Sequence, residues 1–321
     1  MAQPHPSITQ ALTAAIANYS EDLADDVTQN VTLLKWFKRR GNIKTFDGGV
    51  SIYQNVLFGE AAAQGWYSGA EVLSTADQDV MTTADYAFKQ FYANITLSGR
   101  ETIENAGKSR KHDLLKGKLD SAEATMTNAI GEALYYSNTE SGGKAIGGLQ
   151  HLVSDSPSTP TVGGIDASAA ANAFWRNYVF DFSVNSLTAG ASTILTALNT
   201  SFLNTNRANE MVDLVLGGTT YFQYFEASLQ ANQRHMDPEQ GKVGFKGYMY
   251  KDALVMHDPH CSATRMYGLN TKYIFFRPFE SRNFTQGDRK PSMNQDLFVI
   301  PMYWAGNLTA SSRQRHFVVI A

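Results

Sequence analysis

A chain of 321 residues with 43% hydrophobic content can build one large domain or two to three smaller ones, and its 18% charged content is low beside the usual value of about 25%. The formal net charge of -3 argues against a protein that grips nucleic acid tightly, because such domains are strongly basic. Cys261 is the sole cysteine, which excludes an intrachain disulfide and points to a reducing compartment, the cytoplasm of the cell that makes the protein.

Residues 1 to about 45 read as an arm with one short helix. Glu21, Asp22, Asp25 and Asp26 are followed by Lys35, Lys38, Arg39 and Arg40, which flank the apolar Leu33, Leu34, Trp36 and Phe37. From Phe46 the pattern changes to strand. Val50, Ile52, Val56 and Phe58 share one face at period two, and a return arm from Tyr86 to Ser98 repeats the spacing. Between the arms lie Glu60, Glu71, Asp77, Asp79 and Asp85, with no Lys or Arg from Gly59 to Asp85. Such a two-stranded ribbon is marginal alone in water, so a neighbouring subunit is expected to hold it down.

A long helix is predicted over Lys108 to Ser137. Leu115, Leu119, Ala122, Met126, Ala129 and Ala133 form its stripe, and about 30 residues at 1.5 Å each give about 45 Å. Its first turns carry Lys108, Arg110, Lys111, Lys116 and Lys118 against Asp113 alone. The helix dipole favours acids there, so these cations are candidates for an external partner, although a solvated basic face is the commoner reason. Gly142-Gly143 and Gly147-Gly148 end the helix. A loop to Ile165 precedes a helix over Leu187 to Phe202, a strand over Met211 to Leu216, and a helix from Thr219. The remainder reads as β: Tyr248 to His257, Met266 to Phe275, Leu297 to Trp304 and Phe317 to Ile320.

Two segments are candidates for chemistry. His257-Asp258-Pro259-His260-Cys261 holds the densest set of metal-ligand types, but four convergent ligands are needed for a structural zinc. A turn closing a strand over a buried thiol is the simpler expectation. Leu214 to Thr219 has the strand, glycine turn and helix start that can cradle phosphate, without either nucleotide-binding glycine signature; Thr219 is expected as a helix cap. No residue pattern supports an enzyme, and neither a cofactor nor a metal is expected. No apolar run reaches the about 18 residues of a membrane span.

In this order, arm, acidic ribbon, long helix, α/β region and late strands resemble the major capsid protein of tailed bacteriophages, the Hong Kong 97-type fold. Ile146-Gly147-Gly148-Leu149, Val162-Gly163-Gly164-Ile165, Arg176 after Trp175, and Asp258-Pro259 followed by Met266-Tyr267-Gly268-Leu269-Asn270 are similar to that family's wording. The resemblance implies an α+β fold with an N-terminal arm at 1-45 and an extended loop at 46-100 lying across an adjacent subunit. It implies a peripheral domain with a spine helix at 101-144 and 251-321, and an axial domain at 145-250. It further implies hexamers and pentamers of an icosahedral shell around double-stranded DNA, in a virion assembled in the host cytoplasm. Portal and decoration proteins are implied partners, together with a separate scaffolding protein, since no long helical prefix precedes the arm. The ribbon acids Glu60, Glu71, Asp77, Asp79 and Asp85 would make inter-subunit contacts, with Arg277, Arg282, Arg289 and Lys290 as candidate basic counterparts. Lys108, Arg110, Lys111, Lys116 and Lys118 would face packaged DNA weakly. The ribbon's only lysine, Lys89, lies on an arm, so no covalent cross-link from a tip lysine is expected. An encapsulin-type compartment shell is the alternative reading, and a phosphate- or metal-binding enzyme the third.

Overall fold

A computed structural model of the chain describes residues 31–59, 63–75, 79–104, 111–207, 210–229, 247–288, 290–292 and 294–321. In chain order the main elements are α1 (Thr32–Arg40), β1 (Ile52–Leu57), β2 (Met81–Tyr86), β3 (Lys89–Ser98), α2 (Gly99–Glu104) and α3 (Lys111–Ala133). The short strands β4 (Thr161–Val162) and β5 (Ile165–Asp166) precede β6 (Tyr178–Asp181), α4 (Ile194–Thr205), β7 (Leu214–Gly217) and α5 (Thr219–Ser228). Then come β8 (Gly247–Tyr250), β9 (Ala253–His257), β10 (Met266–Leu269), β11 (Ile274–Pro278), β12 (Thr285–Gln286), β13 (Lys290–Pro291), β14 (Leu297–Ala310) and β15 (Phe317–Ile320).

These elements form two compact units. The first takes its described residues from 31–48, 89–147 and 276–307. Here β14 is flanked by β3, which pairs with it from Lys89 to Ser98, and by β11, β12 and β13. The helix α1 buries Leu33, Leu34, Trp36 and Phe37 and ends on Gly41, and Arg40 stacks 5.0 Å from the Trp36 ring. The chain then runs beside β11 through bridges Ile43 to Phe276 and Phe46 to Phe279. The long helix α3 has 23 described residues, about 35 Å at 1.5 Å each. Met126, Ile130 and Ala133 of the expected stripe are buried; Lys108 and Arg110 lie outside the described residues.

The second unit comprises 49–88, 148–275 and 308–321. Its sheet has the order β6-β15-β10-β7-β9-β8, with parallel pairs β6–β15 and β7–β9 in an otherwise antiparallel arrangement. Helices α4 and α5 pack on it over Phe180, Phe182, Leu198, Phe202, Tyr221, Phe225, Val255 and Phe317. The described parts of 251–275 and 308–321 fall in this same unit. Strand pairing is non-local, and β9, β10 and β15 complete the sheet that β6 and β7 begin.

Several predicted boundaries move for local reasons. The strand expected over Tyr248 to His257 is a hairpin, because Lys251 and Asp252 both take positive φ (48° and 65°) and turn it. The strand expected over Met266 to Phe275 breaks at the 3-10 turn Thr271–Tyr273, where Asn270 accepts from the Lys272 N–H. The helix expected from Leu187 starts at Ile194, the strand expected from Met211 covers Leu214–Gly217, and β14 continues beyond Trp304 to Ala310.

The loop between β14 and β15 straps the second unit together. Arg313 is fully buried and donates to the Leu152 carbonyl (2.6 Å), the Trp175 carbonyl (2.8 Å) and Asn177 Oδ1 (3.1 Å). Burial pulls its guanidinium down to about 10. His316, also buried, accepts from the Asn270 N–H at Nδ1 (3.1 Å), and burial pushes its imidazole down to about 3.

Two outcomes follow from this strap. Arg313→Met strands the Leu152 and Trp175 carbonyls and leaves Asn177 Oδ1 only the Ser154 N–H, and the expected loss is about 3–5 kcal/mol in urea unfolding. For His316, the folded imidazole stays neutral while the unfolded one takes a proton below about pH 6.5. Its stabilisation is complete above that pH and is lost as pH falls from there towards 3. His316→Gln is expected to flatten the pH dependence of unfolding free energy between pH 6 and 4 by close to one proton.

Candidate assembly surface

The ribbon is built from β1 and β2 alone, in register from Ile52 opposite Tyr86 to Leu57 opposite Met81. The return arm expected from Tyr86 to Ser98 is a different strand: β3 leaves the ribbon after the exposed Ala87 and Phe88 and pairs with β14. Period two identifies a strand but not its partner, which is how the two were merged.

The inner face of the ribbon root carries Ile52, Val56, Ala84 and Tyr86, all buried. The root is held by its own chain, where the sequence points to a neighbouring subunit as the candidate. A hairpin of β4 and β5, turned by Gly163 (φ 60°) and Gly164 (φ 74°), reaches it, and the Gly163 carbonyl accepts from the Asp85 N–H at 2.8 Å. A Cβ at position 163 would stand 2.8 Å from that of Ala84, so only glycine permits this approach. Tyr86 donates its hydroxyl to the Ala310 carbonyl (3.1 Å), and Phe58 stacks on Phe174 at 4.8 Å.

The outer face is different. Tyr53, Leu57 and Met81 stand exposed beside Asp85, and the tip from residue 63 to 75 is exposed throughout, with Trp66, Tyr67, Val72 and Leu73 uncovered. Ten of the fourteen large hydrophobic side chains exposed among the described residues fall between Val50 and Tyr92. A monomer rarely presents so much apolar surface in one place, and burial of each such side chain is worth about 1.5–3 kcal/mol. Sequence patterning singles out the acids of this segment and Val50, Ile52, Val56 and Phe58, and leaves out Tyr53, Leu57 and the apolar tip. The signal was present: β1 alternates Ile52 and Val56 on one face with Tyr53 and Leu57 on the other, so both faces are apolar.

Among the acids, Glu71, Asp79 and Asp85 are exposed, and Glu60 and Asp77 lie outside the described residues. Of the basic candidates, Arg282 is exposed with its guanidinium 5.6 Å from the Tyr303 ring, Lys290 is exposed on β13, Arg277 is half-buried and Arg289 lies outside the described residues. Lys111 and Lys116 lie on α3. Lys118 is engaged within its own chain: its ammonium bonds Glu101 (2.9 Å) and the Thr96 carbonyl (3.0 Å). Partial burial opposes ionisation of Glu101, but the bonds from Lys118 and Ser98 outweigh it and hold the carboxyl below the usual range.

The two chemical candidates are used structurally. Gly218, not Thr219, is the N-cap of α5; the Gly218 N–H donates to the Arg265 carbonyl and the Tyr221 N–H to the Ala263 carbonyl. A Cβ on Gly218 would lie 1.9 Å from the Ser262 oxygen, so the 262–265 turn sits where a phosphate would have to enter. Cys261 is buried, bonds the Arg265 carbonyl and has its thiol pushed up to about 12, first by burial and then by Asp258. His257 Nε2 lies 3.2 Å from Thr219 Oγ1. Among the described residues no three His, Cys, Asp or Glu side chains converge on a metal position, and no helix is long and apolar enough to cross a membrane.

No protein-family profile and no curated protein matches this sequence. Solved structures do. The chain is similar to the capsid protein of cyanophage A-1(L), at 16% identity and a TM-score of 0.69, over 95% of this chain and 96% of that one. It is similar to the capsid of a native GTA particle (10%, 0.59, 95% and 92%) and to the holo-SrpI encapsulin complex of Synechococcus elongatus PCC 7942 (9%, 0.57, 100% and 96%). The chain thus has an α+β fold of the Hong Kong 97 type, the fold of tailed-phage major capsid proteins.

If the ribbon acids pair across an interface, reversing both Glu71 and Asp79 to Lys removes about 0.2–1 kcal/mol per contact, repeated in every copy. The expected result is a lower particle yield for the double variant at low salt, partly restored at high salt, read by sedimentation.

Proposed function

We propose that this protein is the major capsid protein of a tailed bacteriophage, assembling as hexamers and pentamers into an icosahedral shell around double-stranded DNA. The observation that carries this reading is the ribbon, whose root is bolted to its own chain while its outer face and tip hold uncovered apolar side chains. Repeated copies supply the missing cover, each ribbon lying across an adjacent subunit. The chain's chemistry is then contact area, with no catalytic step. The division into N-terminal arm, extended loop, spine-bearing peripheral domain and axial domain belongs to this reading, as do a scaffolding protein, a portal and decoration proteins. Packaged DNA would meet the inner wall weakly and without sequence preference, through the cations at the start of α3 other than Lys118; a strongly adhesive wall would hinder packaging and release.

An encapsulin-type compartment is the second reading, supported by the likeness to the encapsulin over the whole chain. The two differ in content and not in fold. Electron microscopy of the purified assembly, followed by nuclease protection and protein analysis of its contents, separates them. The expected outcome is closed shells with nuclease-resistant DNA when the packaging machinery is present; shells filled with a cargo enzyme would favour the second reading, and a protein that stays monomeric at high concentration would remove both.

A further inference from the structure

The first unit contains a half-open pocket of about 180 Å3. Phe91 on β3, Ile130 and Ala133 on α3, Ile146 and Trp304 form its walls, and its lining includes Lys89 and Lys144 but no acid. The nearby Glu140 spends its carboxylate on the Ser137 N–H and hydroxyl and the Thr139 N–H. An apolar cavity of about 150 Å3 accepts a benzene-sized group, so this one takes an aromatic ring.

The pocket adjoins an open sheet edge. Among the described strands β3 pairs only with β14, and Gln90, Tyr92, Asn94 and Thr96 are exposed along it. The Thr96 carbonyl turns outward to Lys118, and strand alternation places the backbone groups of Asn94, Tyr92 and Gln90 on that same outer side. The Lys118–Glu101 pair closes the edge at Thr96, and the pocket lies at its other end. An edge with no second strand among the described residues is a template for an added one.

We propose that the ribbon tip of a second copy of this chain adds to the open edge of β3 and seats its Trp66 in this pocket. The inference rests on the shell reading and names the receptor that the tip meets. Trp66 is 104% exposed in its own chain. The tip carries Glu71 and no cation between Gly59 and Asp85, which complements Lys89 and Lys144. Its 13 described residues span about 43 Å when extended, more than the about 17 Å from Gln90 to Asn94. Main-chain bonds along an edge give affinity in this mode, and a side-chain pocket gives register.

The experiment uses engineered cysteines in assembled particles, since the native Cys261 is buried. Tyr67→Cys combined with Tyr92→Cys is expected to give a ladder of disulfide-linked multimers on oxidation, whereas Tyr67→Cys with Leu203→Cys is expected to give none. Trp66→Ala is expected to cut particle yield by at least about tenfold at fixed protein concentration, and Trp66→Phe by no more than about twofold. Trp66 is fully exposed among the described residues, so monomer unfolding is expected to be unchanged by either. Closed particles with control-level cross-linking, full yield from Trp66→Ala, or a disulfide from position 92 to another protein would overturn the docking while leaving the shell reading intact. Failure of the unmodified chain to form particles under any condition would instead overturn the shell reading.

Discussion

A two-stranded ribbon with apolar residues on both faces can satisfy only one of them against its own chain. In this protein Ile52, Val56, Ala84 and Tyr86 take that side, and Tyr53, Leu57 and Met81 are left facing water. Among the described residues these side chains stay largely exposed, and cover from another chain would remove the cost of that exposure. Much of the rest of the molecule serves to present this surface in a defined way. The Gly163-Gly164 hairpin approaches as closely as a missing Cβ allows, and Tyr86 is tied at the end of a long strand by the Ala310 carbonyl. An anchored root loses less freedom on docking than a floppy hairpin would, so more of the contact energy appears as affinity.

The same economy shows in the chain's reactive-looking segments, whose groups are engaged within the fold. The Gly218 and Tyr221 amides at the start of α5 donate to carbonyls of the 262–265 turn, and the turn is admitted by the bare Cα of Gly218. Cys261 lies under that turn with its thiol protonated. Arg313, the most buried cation described, donates to two main-chain carbonyls and an asparagine amide, not to a substrate-sized opening. Charges that a catalytic site would display are here spent on joining distant strands and loops. Lys118 follows the same rule in the first unit, where it closes a sheet edge.

A fold of this kind specifies how copies pack and leaves the contents of the shell to other features. The cyanophage capsid, the GTA particle capsid and the encapsulin share the fold with this chain at 9 to 16% identity.

The spacing of apolar residues in the sequence already determined the short helix at Leu33 to Phe37, the buried side of the long helix, the strand–turn–helix at Leu214 to Thr219 and the two-faced strand at Ile52 to Leu57. Each depends on residues within a few positions of one another, so periodicity and turn chemistry suffice to reveal it. Tertiary structure alone decided that β2, not β3, closes the ribbon, that β3 joins β14 some 200 residues away, and that residues from both ends of the second half complete one six-stranded sheet. It also decided that Lys118 and Gly218 serve the fold. Strand partners and charge partners are chosen by which surfaces meet in space, and the period of a single strand or the sign of a single charge carries no record of that choice.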